Sequence, residues 1–220
     1  MVSMATTVTF VRHGRTGFNK EHRYQGWLDL EGCQLLQEGV NQARALGARW
    51  KQYDEKYDVV YSSDLGRALM TAQLVSEPIG HEHSSIRIET RLRERNFGRL
   101  QGMTGQEIQQ TRPNVWTRMK NFDPSWKPEG GESMHDVTER AWDAVLDIVQ
   151  KNRGRRILIV SHGGTISMIV RQVLGLPWAG VLNFRIKNTS ITTVQFDEDD
   201  RPVLECLGDD NHVKMAHKMR

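Results

Sequence analysis

The chain has 220 residues, 38% of them hydrophobic, enough to bury the core of one substantial domain. Lys and Arg number 30 against 27 Asp and Glu, and a formal charge of +3 is too even a balance to imply nucleic acid as a partner. Cys33 and Cys206 lack metal or redox spacing and cannot make a disulfide framework, and no apolar run approaches the length of a membrane span.

"MVSMATTVTFVRHG" has no basic leader ahead of an apolar stretch, so an untargeted cytoplasmic protein is expected. Within it, "ATTVTFV" is short and β-branched and predicts a buried first strand that runs into the polar turn "RHGRTGFN". Leu36, Val40, Ala43, Gly47 and Trp50 then recur at helical spacing. "DVVYSS" predicts a second strand, and Leu65, Leu69, Ala72 and Val75 predict the helix after it. "SSIRIETRL" reads as a third, peripheral strand. The stretch from 103 to 132 carries Pro113, Pro124, Pro128 and Gly130-Gly131, and predicts an irregular cap instead of a core element.

Ser133 with Asp136 three residues on resembles a capping box, and Val137, Ala141, Val145 and Ile148 carry that helix onward. "RRILIVSHGG" is the strongest strand signal in the chain, and "TISMIVRQVLGL" is a helix closed by Gly175 and Pro177. "TSITTVQF" and "PVLECL" flank an acidic turn and predict a hairpin. A flexible end is expected for "NHVKMAHKMR", although His212 lies within reach of a site. The alternation of strand and helix predicts a single α/β domain over 1–220, a three-layer α/β/α sandwich around a mostly parallel sheet.

In such sheets ligands collect at the carboxyl ends of strands. Three polar clusters fall there: Arg12 and His13 after the first strand, Arg67 one turn into the helix after the second, and His162 with Gly163 at the helix after "ILIV". Guanidinium groups, imidazoles and a glycine-rich helix N-terminus suit an anion such as phosphate. A neutral imidazole can also attack phosphorus, and Glu94 in "RLRERNFG" is the best-placed proton donor for the departing alkoxide. The plainer readings are a polar turn at Arg12 and His13, a helix-capping role for His162, an Arg67 pairing with Asp64, a solvated strand exit at Glu94 and a turn-stabilising Asn19. "HEH" at His81 to His83 offers alternate residues without a third ligand, so no metal site is expected.

"VRHGRTGFN", "YSSDLGRALMTA", "LRERNFGRLQG", "GGES" and "VSHGGT" occur in the order and approximate spacing of the histidine phosphatase superfamily, which the chain resembles in its phosphoglycerate mutase-like branch from about Val8 to His162 and weakly beyond. That resemblance implies a three-layer fold and metal-free phosphoryl transfer without a cofactor. It implies His13 as nucleophile, Glu94 as general acid then base, and Arg12, Asn19, Arg67 and His162 as phosphate ligands. Arg15 stands where the family usually has an acid or amide, and "LQG" at Leu100 to Gly102 is closer to mutase wording. The segment "WLDLEGCQLLQEG" carries a few residues more than the usual connection.

The cap is too short for the long insert of cofactor-dependent mutases, so the expected activity is a phosphomonoesterase acting on a sugar phosphate, a phosphoglycerate derivative or phosphoserine. Arg15, Trp116 and Trp126 are candidate substrate contacts. The partner expected is a small phosphate ester, with neither nucleic acid nor membrane involved and a homodimer as the assembly to test. Two alternatives stay open: a phosphoglycerate mutase, and a non-catalytic phospholigand-binding protein.

Overall fold

The computed structural model describes residues 5–178 and 184–218. Its single six-stranded sheet has the order β3-β2-β4-β1-β5-β6. Strands β1 (Thr6–Arg12), β2 (Val59–Ser62), β3 (Arg87–Ile88) and β4 (Arg156–Ser161) run parallel. β5 (Ile191–Phe196) and β6 (Pro202–Asp209) form the expected hairpin, antiparallel to β1 and to each other. The third strand pairs over two residues only, before the chain turns at Thr90–Leu92.

Side-chain alternation along the central strands sends the two sets of apolar residues to opposite faces. Val8 and Phe10 of β1 join Ile157 and Ile159 of β4 under α6 (Met134–Lys151) and α7 (Gly163–Val173). Val11, Leu158 and Val160 meet α2 (Gln37–Gln52) and α3 (Gly66–Ser76) on the other face. These are the three layers. The neighbouring strands β1 and β4 therefore send their following helices to opposite faces, which opens a crevice at their carboxyl ends.

Local chemistry sets the helix ends. Ser133 accepts from the Asp136 N–H while Asp136 accepts from the Ser133 N–H, a capping box worth roughly 0.5–2 kcal/mol to α6. Gly175 takes a positive φ of 58° after α7, as a helix-ending glycine does. Close to the β1 exit, a Cβ on Gly14 would stand 2.5 Å from the Gly39 carbonyl oxygen, and one on Gly39 would run into the Arg15 backbone. Only two glycines let the turn cross α2 at that distance.

Two expectations are corrected. The cap is not irregular throughout: it holds α4 (Gly105–Thr111) and α5 (Pro113–Lys120), beside the short α1 (Gly17–Lys20) near the first turn. Thr104 and Glu107 box the start of α4, and Pro113 takes the first position of α5, where its missing N–H costs nothing. The tail is not a flexible end from Asn211 to Lys218, which form α8. His212 is 3% exposed and bonds Thr189 Oγ1 at 3.0 Å; the last two residues lie outside the described ones. Among the described residues no helix is long and apolar enough to cross a membrane.

Burial, with Arg49 second, pushes the His212 imidazole down to about 4, against the opposing charges of Asp209 and Asp210. The unfolded chain takes up this proton near pH 6.5 and the folded chain only near 4, so stability is complete above 6.5 and falls as the pH drops through that window. Between neutral pH and pH 5 this one residue should cost about 2 kcal/mol. Denaturant midpoints at the two pH values should converge in His212→Gln relative to the parent; an identical acid loss in both would rule the residue out.

Candidate active site

Three strand exits deliver the site. His13 follows β1, Ser63 and Arg67 follow β2, and His162 caps the N-terminus of α7 after β4. Backbone hydrogen bonds fix their spacing: the His13 N–H donates to the Ser161 carbonyl at 3.0 Å, and the Ser63 N–H to Val160 at 3.0 Å. The two imidazole centroids stand 5.2 Å apart at 57°. His13 is 2% exposed, Arg67 1% and His162 fully buried.

His13 Nδ1 lies 2.8 Å from the Gly14 carbonyl oxygen. A carbonyl can only accept, so Nδ1 carries the proton and Nε2 keeps its lone pair. Burial first, then the charges of Arg67 and Arg12, hold this imidazole well below its ordinary range, and the Gly14 bond opposes them weakly. The ring is therefore neutral at physiological pH, with a defined free nitrogen. His162 is lowered by burial, Arg67, His13, Arg12 and Arg140 in that order; its Nε2 meets Ser63 Oγ at 2.9 Å.

Among the described residues neither the buried Arg67 guanidinium nor that of the half-buried Arg12 is paired with a carboxylate. Arg12 Nη1 donates to Ile186 O, and Arg67 donates from Nη1 to Leu28 O and from Nη2 to Gly26 O. Arg12 Nε, Arg67 Nε and His162 Nδ1 are buried polar atoms without a hydrogen-bond partner among the described residues. A buried polar atom left unmet costs roughly 1–3 kcal/mol, and two guanidinium donors beside an imidazole nitrogen are a set that suits an anion. Desolvation lowers both arginines, and Glu94 is the first charge that opposes it in each.

Glu94 sits across a cleft of about 600 Å³ that Arg12, Arg15, Gly163, Gly164 and Asn188 also line. Its Oε1 accepts the Arg95 N–H at 2.8 Å and its Oε2 the Gly164 N–H at 3.0 Å. A Cβ on Gly164 would strike that carboxylate, and one on Gly163 would stand 3.1 Å from Arg12 Nε, which explains the paired glycines at the start of α7.

Other expected residues are placed differently. Asn19 Oδ1 accepts the Thr16 N–H and Asn188 Nδ2, so its acceptor side is spent on the turn, and its Nδ2 makes no bond among the described residues. Arg15 is on the cleft rim, where its Nη1 meets both Glu38 oxygens at 2.9 Å. Asp64 pairs with Arg93, not Arg67. Trp116 and Trp126, the candidate substrate contacts of the cap, do not line this cleft. Trp116 packs over Gly105 of α4, Trp126 stacks near Arg95, and both face a second cavity in the cap.

Sequence reasoning missed several participants. Asn188 donates to the His13 carbonyl, Thr71 Oγ1 accepts the Gly14 N–H, and Lys187 and Asp210 rim the cleft as an ion pair. Asn188 stands three residues before β5, in a segment without periodicity; "KNTS" is its only local signal.

The family described as histidine phosphatase superfamily (branch 1) matches residues 8–210. A phosphoglycerate mutase-like protein 4 of Arabidopsis thaliana is 33% identical over 94% of this chain and 86% of its own length. Among solved structures, Bacillus stearothermophilus YhfR superposes with a TM-score of 0.85 at 31% identity, covering 95% of this chain and all of that one. A mycobacterial glucosyl-3-phosphoglycerate phosphatase, solved with VO3, gives 0.79 at 31% identity over 92% of this chain and 98% of its own.

The electrostatics predict that the His13 and His162 rings remain neutral at pH 6.5, as read by nitrogen chemical shifts of the imidazoles. In Arg67→Met, which removes the stronger cationic neighbour, the His13 titration should move upward. Titration of His13 near 6.5 in the parent protein would contradict the account.

Proposed function

The chain belongs to the histidine phosphatase superfamily, branch 1, and on that basis we propose that it is a phosphomonoesterase working through a phosphohistidine on His13. The observation that carries this reading is the Nδ1–H bond of His13 to the Gly14 carbonyl, which makes Nε2 the nucleophilic nitrogen of a neutral, buried ring.

In the proposed reaction the phosphate of the ester settles between Arg12, Arg67 and the start of α7. The partnerless Nε atoms of the two arginines, and the Gly163 N–H, supply donors to its oxygens. The Ser63 hydroxyl can donate to His162 Nε2, which leaves a proton on Nδ1 for the same anion. Asn19 can add its Nδ2. His13 Nε2 attacks in line; the N–P bond forms as the bond to the leaving oxygen breaks, and Glu94 gives that oxygen its proton. Water then attacks phosphorus, Glu94 takes its proton, and the N–P bond breaks to release inorganic phosphate. Fixed guanidinium groups carry the charge that develops on the equatorial oxygens, so the proposed chemistry needs no metal or organic cofactor.

A small phosphorylated metabolite suits the cleft of about 600 Å³, which is rimmed by Arg15 and Lys187. A sugar phosphate, phosphoglycerate derivative or phosphoserine is of that class, and the mycobacterial relative named above is a phosphatase of a glucosylated phosphoglycerate. The mutase reading draws on the name of the Arabidopsis relative and requires a bisphosphorylated intermediate kept from water. The free thiols of Cys33 and Cys206 suit a reducing compartment such as the cytoplasm.

Inorganic phosphate release from 3-phosphoglycerate, phosphoserine, sugar phosphates and p-nitrophenyl phosphate should survive a chelator and vanish in His13→Ala. Isomerisation of phosphoglycerate after priming, without release, would instead establish the mutase. Gly164→Ala should keep the fold, because alanine favours a helix, yet lower turnover of alkyl phosphates by about 100-fold through displacement of Glu94. Unchanged turnover in that variant would remove Glu94 from the proton transfer.

A further inference from the structure

The segment that carries Glu94 has no regular secondary structure: after the turn at Thr90–Leu92 the chain leaves the sheet edge, and the carboxylate stands on irregular backbone. Such backbone ordinarily bonds to water and moves. Here it is fastened. Ser161 Oγ donates to the Leu92 carbonyl, Thr165 Oγ1 to that of Arg93, and Trp27 Nε1 to that of Glu94.

Arg140 does more than any of these. From the middle of α6 its Nη1 donates to the carbonyls of Arg91 at 2.6 Å and Arg93 at 2.8 Å, and its Nη2 to that of Glu94 at 2.9 Å. The other edge of the guanidinium is held by Glu132, with Nε to Oε1 at 2.7 Å and Nη2 to Oε2 at 2.9 Å. Glu132 is itself tied to the loop, since its Oε2 accepts the Asn96 N–H at 2.8 Å and its backbone carbonyl accepts Arg95 Nε. Both side chains are 17% exposed. The planar fork meets three backbone carbonyls, of Arg91, Arg93 and Glu94, together with the Glu132 carboxylate, a set that a lysine ammonium could not span.

We propose that Arg140, locked by Glu132, is a positioning residue that sets the aim of the Glu94 carboxylate toward the leaving oxygen. It rests on the phosphomonoesterase reading above, in which Glu94 supplies that oxygen's proton. Three of the carbonyls that define the path of residues 91–94 share one rigid donor, and the end of that path is the acid. Without Arg140 those carbonyls lose a charged donor, the loop gains freedom, and the carboxylate spends less time in line. Phosphate binding by Arg12 and Arg67 is untouched, because neither bonds to Arg140 or to the 91–94 backbone.

A defect in aim has a signature that a general loss of structure lacks. An alkoxide needs its proton as the ester bond breaks, whereas p-nitrophenolate leaves without one. We would therefore measure kcat and KM of Arg140→Met, Arg140→Lys and Glu132→Gln on glycerol phosphate and on p-nitrophenyl phosphate, with Glu94→Gln as benchmark and His13→Ala as control. Both Arg140 variants should lower the alkyl-to-aryl ratio of kcat by about 10-fold or more, in the direction set by Glu94→Gln, with KM within about 3-fold. Glu132→Gln should lower it less. If Arg140→Met fails to fold, Arg140→Lys and Glu132→Gln carry the same readout. Equal losses on both esters, or no loss, would overturn the positioning role. Phosphate release retained in His13→Ala, or a Glu94→Gln ratio equal to the parent's, would instead bring down the reading on which it rests.

Discussion

His13 donates its Nδ1–H to the carbonyl of Gly14, and the place of that carbonyl is set by backbone packing. Gly14 crosses Gly39 of α2 so closely that a Cβ on either would clash, and its N–H is held by Thr71 of α3. The turn is therefore pinned by two helices of one face while its parent strand sits in the middle of the sheet. Everything that follows at the site depends on this constraint. A turn free to rotate would release the proton on Nδ1, and with it the assignment of Nε2 as the open nitrogen.

The second consequence is electrostatic. Two guanidinium groups and two imidazoles converge at the strand exits, with Arg67, His13 and His162 buried and Arg12 half-buried, and among the described residues the two arginines bond only to backbone carbonyls. An arrangement of this kind costs folding energy, because charge is taken out of water without a paired carboxylate. The sheet and its two helix layers supply enough buried apolar surface to tolerate it. The same desolvation keeps the imidazoles neutral and strengthens the field that a phosphate would meet.

Much of this was legible in the sequence, for a physical reason in each case. Buried strands announce themselves as apolar runs, and the polar residues directly after "TFV", "VVYSS" and "ILIV" must stand at strand exits. The glycine-rich start of the helix after "ILIV" is visible too, and there Gly163 meets Arg12 and Gly164 meets Glu94. The capping box at Ser133 was equally visible. What was hidden depends on long-range contacts. Asn188 and Lys187 reach the cleft because β5 returns beside β1, and no local pattern encodes that return. Arg140 looks like an ordinary charge in an amphipathic helix until the Glu94 loop is seen beneath it. The prolines of the cap suggest irregularity, while Pro113 in fact starts a helix. A short basic tail gives no sign in sequence that His212 anchors it to Thr189.

The central claim is that phosphoryl transfer passes through His13 in two in-line steps. It is tested most directly by the stereochemistry at phosphorus, using an ester made chiral there with oxygen isotopes and sulfur. Two successive displacements predict net retention of configuration in the released phosphate. Inversion would mean that water attacks the ester directly, and the neutral, pre-aimed imidazole of His13 would then need another explanation.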